Sequence, residues 1–408
     1  MLAILKKLDI VKLFLFAILI RLMLMPFFFH PDIKTYNYQS SFLKEGVFNI
    51  YIYLIDNREK LTLKEEFVYF PLTYFFLGGY QILSTPFLGN NFSDWLSDGS
   101  AGAIDKVGVF RYLFILKIPY LIFDLAIPFL LIKLFNDFKL KRQVFILWLF
   151  NPFSLGLIYI FSNVDIIPLF FSLISLLLFI NKRIILSGLF LGLAASFKAY
   201  PLIFVPFMFI FLGNTKERLK FVTIIVSTVL LCILFFWSNE FIHSALISSL
   251  TTRIAFPNIP IGFGESLMVG IISLLILFLT GLINKNVSKV WDYLLAALLL
   301  IFSTIHYHIQ WLLWIMPFVV IFHILKPRLN KLLWSWLFLA FLIPLLYNDK
   351  SMTISLFSAI SSLYNLLPTP FLVVGRLYDP YLMQGLIHSI MFSLAIVIIW
   401  LSIRPTKQ

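Results

Sequence analysis

Residues 139–183 read KLKRQVFILWLFNPFSLGLIYIFSNVDIIPLFFSLISLLLFINKR. Two apolar runs, 143–161 and 163–180, stand back to back between basic clusters, with Ser162-Asn163-Val164-Asp165 at their junction. Each approaches the roughly 20 residues that a helix needs to cross a hydrocarbon core of about 30 Å. Short loops rich in Lys and Arg stay cytoplasmic. The stretch therefore reads as a helical hairpin through a membrane, its ends inside and its polar turn outside.

The same alternation runs along the chain. Basic clusters occur at Lys6, Lys7 and Lys12; Lys133 to Arg142; Lys182 and Arg183; Lys216 to Lys220; Lys285 and Lys289; Lys326 to Lys331; and Arg404 and Lys407. The intervening gaps hold His30-Pro31-Asp32, Asn163 with Asp165, Lys198-Ala199-Tyr200, Arg253, and His306 to Gln310. With every basic cluster inside, all of these gaps fall on the outer face.

At 61% hydrophobic and 12% charged, the chain is far from a soluble domain, where the shares are about 45–50% and 25%. A transmembrane barrel would show alternating segments of about ten residues, and none occur. The expected class is all-α, a polytopic integral membrane protein. Its net charge of +13 is dispersed in short loops, so topology and anionic lipid explain it and nucleic acid does not. Cys232 is alone and excludes an internal disulfide. No Walker loop, zinc signature or dinucleotide fingerprint is present, so nucleotide-driven chemistry has no support; no metal and no cofactor is expected, with a divalent cation as the open alternative.

Expected spans are 10–29, 109–132, 143–161, 163–180, 184–198, 200–212, 219–238, 265–284, 290–308, 309–325, 331–348 and 385–403. Twelve crossings put both termini in the cytoplasm. The first run is followed by no small-residue cleavage site and is expected to be retained. Residues 184–198 and 200–212 are short, and are expected to meet at Tyr200-Pro201 beside a water-filled cavity. Residues 67–88, interrupted by Pro71, Gly78, Gly79 and Pro86, read as re-entrant or tilted, with a true crossing as the alternative. Residues 30–66 carry Tyr36, Tyr38, Phe42, Tyr51 and Tyr53 among charges of both signs, the pattern of amphipathic interfacial helices. Residues 89–108, with Asp94, Asp98 and Asp105, and 349–384 are irregular outer loops.

Several residues could carry chemistry. Pro31 biases His30 away from helix, so the first span should end there and turn Asp32 to the membrane surface. A partly desolvated carboxylate is suited to take a proton from a hydroxyl; a solvated loop carboxylate is the bland alternative. Lys198 is the only charge in Leu189–Phe209, and an intramembrane ammonium calls for an anion. A phosphate fits, with Tyr200 as a second donor, whereas a snorkelling lysine needs no ligand. Asp165 can orient Lys198, bind a sugar hydroxyl with Asn163, or cap the next helix. Arg253 can hold phosphate as a fork or be a plain surface arginine. His306 and His308 lack the i, i+4 spacing of a zinc helix. On a continuous helix His306 and Gln310 would share a face, with His308 pointing away. Hydrogen bonding to phosphate or sugar suits them; aromatic-belt packing beside Trp311 and Trp314 is the other reading.

In this order the motifs resemble the GT-C superfamily of membrane glycosyltransferases, above all enzymes using polyprenyl-phosphate sugars such as dolichol-phosphate mannose. His30-Pro31-Asp32 matches the acidic residue after the first span, and Tyr69-Phe70-Pro71-Leu72 the Tyr-x-Pro-Leu element. Asn151-Pro152 through Asn163-Val164-Asp165, Lys198-Ala199-Tyr200-Pro201, and His306 to Gln310 match the later elements. The resemblance covers residues 10–320, with C-terminal helices over 331–408, and implies one transmembrane domain over 1–408. It implies inverting transfer of a hexose, mannose foremost, from a lipid-phosphate donor to an extracytoplasmic glycan, lipid or protein. Asp32 would be the base, with His30 beside it, and Tyr69 would join the donor site. Two departures bear on the sugar and on metal use. Ile33 and Lys34 follow Asp32 where many mannosyltransferases have a second acid, and Asn163 stands where Gln is common. A transporter or lipid flippase is the rival, using Lys198 and Asp124 along a path open to both faces.

Overall fold

The computed structural model describes residues 9–99, 108–248, 251–283 and 290–403. Lys6, Lys7, Asp105, Lys285, Lys289, Arg404, Lys407 and both chain ends lie outside the described residues. Among those described, five helices are long and apolar enough to cross a membrane: Val109–Leu134, Phe138–Ile160, Thr215–Phe236, Pro327–Leu345 and Pro380–Ile403. The other expected spans hold helices of 17 residues or fewer. Capping and proline chemistry explains the shortening. The first run, expected over 10–29, is helical only over Ile10–Leu24 (α1), capped by Asp9, whose carboxylate accepts from Val11 N at 3.2 Å. Pro26 has no N–H to give to the preceding turn, so the helix stops before it.

His30 then takes an extended backbone (φ −116°, ψ 137°) and caps Pro31–Ser41 (α2), its Nδ1 accepting from Asp32 N at 3.2 Å. Residues 30–66 hold α2, a 3-10 turn over Phe42–Glu45 and the helix Ile50–Asp56. Their aromatic faces turn into the protein: Tyr38, Phe42 and Tyr51 are buried.

The segment expected to re-enter is one unbroken helix, Pro71–Leu88 (α3), with Pro71 at its first turn and Pro86 near its end. Gly78 does not interrupt it. A Cβ there would meet Ser40 O at 2.6 Å, so the glycine lets α3 lie directly on α2. Gln81 Nε2 donates to Asn37 O at 2.7 Å along the same seam. The chain then returns to α2 through the short helix Phe92–Ser97, where Lys34 Nζ donates to Asp98 O and lies over the Trp95 ring.

Next come Val109–Leu116 (α4), Ile118–Leu131 (α5), Phe138–Leu149 (α6), Ile166–Ile180 (α7), Ile184–Phe197 (α8) and Thr215–Ile233 (α9). Helix α8 packs between α7 and α9. The expected break between its two short pieces is present: Lys198 is extended (φ −157°), and a 3-10 turn follows over Tyr200–Ile203. Val269–Ile283 (α10), Val290–Thr304 (α11), Met316–Leu325 (α12), Asn330–Leu345 (α13) and Pro380–Ile403 (α14) complete the bundle.

One element corrects the all-α expectation. Asn258–Gly262 (β1) and Glu265–Met268 (β2) form an antiparallel hairpin where a loop and the start of a span were expected. Pro257 and Pro260 deny a helix its amide donors, and Gly262, Phe263 and Gly264 all have positive φ. Helix α10 begins only after β2.

The buried charged side chains Arg21, Asp124 and Lys117 all have hydrogen-bond partners inside the bundle. Arg21 Nε donates to Asp124 Oδ2 at 2.6 Å, both side chains being fully buried. Trp148 Nε1 and Tyr159 OH also donate to that carboxylate, at 2.8 and 2.7 Å. The cluster pins α1, α5, α6 and the turn after α6 together. Lys117, buried at the α4–α5 junction, donates to Phe28 O at 2.6 Å and Tyr159 O at 2.8 Å. Removing one member of a buried pair costs about 3–5 kcal/mol, because the other is left uncompensated. Asp124→Asn should therefore lower thermal stability in detergent by an amount of that order, and wild-type melting would show the pair to be idle.

Candidate active site

The junctions of these helices converge on one cavity of about 450 Å³. Of the residues singled out in the sequence, Asp32, Tyr69, Lys198, Tyr200, Arg253, His308 and Gln310 line it. His30, Asn163 and Asp165 are buried outside that lining, and His306 is exposed and does not line it.

Asp32 sits in the first turn of α2, where unpaired amides favour an anion. Gln310 Nε2 donates to its Oδ2 at 3.0 Å and to Phe161 O at 3.0 Å, and lies 3.2 Å from His30 Nδ1. About 29% of the Asp32 side chain remains exposed, so the carboxylate is held from behind and open in front. His30 is buried, and burial lowers its pKa despite the nearby Asp32. A neutral ring whose Nδ1 accepts from the backbone carries its proton on Nε2. His30 thus orients the start of α2 and does not face the cavity.

Lys198 emerges at the end of α8 and meets Asp165 at the start of α7. Its Nζ lies 2.9 and 2.8 Å from the two carboxylate oxygens. The Asp165 side chain makes no cap bond to its own helix; it also accepts from Trp314 Nε1 at 2.7 Å. Three rings, of Tyr69, Trp314 and Trp311, enclose the ammonium at 4.8, 5.5 and 5.6 Å. Of the readings open for Asp165, the geometry matches the one in which it orients Lys198.

Asn163 is buried. Its Oδ1 accepts from Asp165 N at 2.8 Å, and its Nδ2 donates to Gln310 O at 2.5 Å. Ser162, at φ 54°, makes the tight turn that delivers both. Tyr200 stacks on Trp314 with centroids 4.0 Å apart and planes 4° apart. Its hydroxyl is buried and has no hydrogen-bond partner among the described residues.

The late turn departs from the helical geometry considered for it. Helix α11 ends at Thr304 and a 3-10 turn starts at Ile309, so His306 and Gln310 do not share a face. Gln310 points to Asp32 and His308 lines the cavity, while His306 stacks on Tyr347 at 4.4 Å. Burial pushes His308 down to about 4, with Asp32 opposing and Arg253 reinforcing that shift. It is uncharged at neutral pH and sits within electrostatic reach of both. Arg253 is half-buried over the Trp311 ring at 5.3 Å, with Nη1 donating to His306 O at 3.3 Å. No carboxylate pairs with it among the described residues.

Three sets of lining residues carried no signal strong enough in the sequence. Tyr36 lies one helical turn beyond Asp32, on the same face of α2. Its ring meets Tyr69 edge-on at 4.6 Å, and burial and the Asp32 charge push its hydroxyl well above its ordinary pKa. The i, i+4 spacing would have revealed it once the helix start at Pro31 was recognised. Trp311 and Trp314 stack at 5.2 Å and wall one side, and Glu65 and Glu66 stand at another edge. Among the described residues, no three His, Cys, Asp or Glu side chains converge as metal ligands.

Comparisons with known proteins point to one class. Residues 160–256 match the family model described as Mannosyltransferase (PIG-M). That range holds Asn163, Asp165, Lys198, Tyr200 and Arg253. A GPI mannosyltransferase 1 from Kluyveromyces lactis is 26% identical over 153 residues, 37% of this chain and 31% of that relative. The chain thus matches less than a third of the relative's length. No solved structure matches. Both comparisons support the likeness read from the motifs, that of a GT-C-type membrane mannosyltransferase.

Because Lys198 and Asp165 act as one unit, their substitutions should not add. A cycle of Lys198→Met, Asp165→Asn and the double variant, followed by thermal melting, should give a coupling of about 1–3 kcal/mol. Strict additivity would mean that the two side chains do not hold each other.

Proposed function

We propose that this protein is an integral membrane hexosyltransferase that moves mannose from a polyprenyl-phosphate donor to an acceptor hydroxyl on the extracytoplasmic face. One observation carries the proposal. A single cavity brings together Asp32, a carboxylate held from behind and open in front, and Arg253, a cation with no carboxylate partner among the described residues, while Glu65 and Glu66 stand at another edge. That is the minimum set for moving a sugar off a phosphate.

Arg253 takes the donor phosphate, its planar fork resting on Trp311. Lys198, saturated by Asp165, gives positive potential without binding the phosphate alone; the phosphate role first considered for it passes largely to Arg253. Asp32 accepts the proton of the acceptor hydroxyl. The acceptor oxygen forms a bond to the anomeric carbon as the bond from that carbon to the phosphate oxygen breaks. The polyprenyl phosphate leaves with the electron pair, next to Arg253. A single displacement of this kind inverts the anomeric centre. The reaction uses side chains alone, with no cofactor. Tyr36 and Gln310 position Asp32, and His308, neutral, donates or accepts hydrogen bonds between base and phosphate. The transport alternative needs free charges along a path, but Arg21 pairs with Asp124 and Lys326 with Asp292 at 2.6 Å.

Asp32→Asn should lower turnover by about 10²-fold or more while leaving binding of the lipid-phosphate sugar near normal. Arg253→Ala should do the reverse, weakening donor binding most. Both effects are read from steady-state kinetics and donor binding by the purified protein. Wild-type turnover in a folded Asp32→Asn protein would remove Asp32 from the mechanism.

The twelve-span topology, with termini inside and α3 lying along the outer face, belongs to the same proposal. In a Cys232→Ser background, cysteines at Ser93 and Asn239 should both react with an impermeant thiol reagent from outside. Protection at Ser93 alone would mean that α3 crosses the membrane.

A further inference from the structure

The β1–β2 hairpin is attached at its base and unsupported beyond it. Val269 N donates to Pro257 O at 3.0 Å and closes the base. Beyond that, all of β1 and nearly all of β2 are exposed. The strands project roughly 13–17 Å at about 3.3 Å per residue. An isolated two-stranded ribbon is marginal in water, and this one shows water mostly apolar side chains. Ile259 pairs with Leu267 across the ladder, both exposed. Ile261 sits in the irregularity between Pro260 and Gly262. Phe263 stands fully exposed at the tip, between two positive-φ glycines that narrow the turn to a single ring. Glu265 is the hairpin's one charge.

We propose that this hairpin rests in the membrane interface, with Phe263 inserted among the lipid headgroups and first acyl carbons. The occupant follows from continuity. Strand β2 passes into α10 without a linker residue, and α10 exposes Ile271, Ile272, Leu275 and Ile276 on the surface that a membrane helix gives to lipid. The apolar face of the hairpin extends that surface to the end of the bundle. A near-absence of charge suits the boundary, where an aromatic ring is stable at the headgroup level. The hairpin also adjoins the cavity: Thr251, Arg253 and Ile254, immediately before it, line the cavity wall. Insertion holds whether or not the cavity transfers sugar, so its test does not depend on the proposed reaction.

The test uses the full-length Cys232→Ser protein in phosphatidylcholine–phosphatidylglycerol vesicles, spin-labelled at Phe263→Cys. Labels at Leu279→Cys on α10 and at Asn239→Cys serve as lipid and water references. Collision with dissolved oxygen and with a water-soluble nickel chelate reports the surroundings of each label. The expected result is high oxygen and low nickel contact at 263, close to the Leu279 reference. Nickel contact matching Asn239 would put the tip in water and overturn the proposal. Low contact with both would mean that protein, a partner or a second copy, covers the tip, which overturns it equally.

Discussion

A charge taken out of water must find its counter-charge nearby, and the site is built around one such match, Lys198 with Asp165. Neither residue is tolerable alone near the hydrocarbon level. Together they fasten the end of α8 to the start of α7 at 2.8–2.9 Å. The break in α8 that frees Lys198 also brings Tyr200 onto Trp314, and Trp314 returns to Asp165 through its indole N–H. An ion pair and an aromatic wall therefore stabilise the same junction. Its cost in broken helix is met by satisfied polar groups, as irregular backbone in a membrane requires.

The rest of the cavity hangs on similar closures. Lys117 ties the segment before His30 to the turn before Asn163 through two carbonyls, so the two polar turns cannot drift apart independently. Gln310 holds Asp32 by a hydrogen bond of 3.0 Å, with Tyr36 on the same face of α2, while one edge stays open. Under the proposed reaction, a carboxylate fixed in this way acts without rearranging first, which is where much of the advantage of an enclosed site lies.

Much of this was legible in the chain because membranes limit what a sequence can mean. Apolar runs and Lys/Arg loops identified the helices, and isolated polar residues at their junctions identified the cavity lining. Helix lengths were less legible: Pro26 and the Ser162 turn remove ends that hydropathy alone assigns to spans. Gly78 read as a breaker but serves close packing, a distinction that depends on Ser40, 38 residues earlier. For Lys198 the sequence offered both a phosphate and Asp165 as its anion, and with the two residues 33 positions apart only the folded chain shows the pair. Tyr36 was seen as an interfacial aromatic, since a helix start at Pro31 had to be recognised before its spacing from Asp32 meant anything. The hairpin escaped notice because its apolar residues mimic the beginning of a span.

The contact from Gln310 to Asp32 joins residues 278 positions apart. Ribosomes add about 5–20 residues per second, so Asp32 waits on the order of tens of seconds in the growing chain before Gln310 exists to hold it. During that interval only groups close to it in sequence, His30, Tyr36 and the first turn of α2, surround the carboxylate. Completion of the cavity is in this sense a late product of synthesis: a ribosome that stops before residue 310 leaves Asp32 without its distant partner, whatever number of helices has already formed.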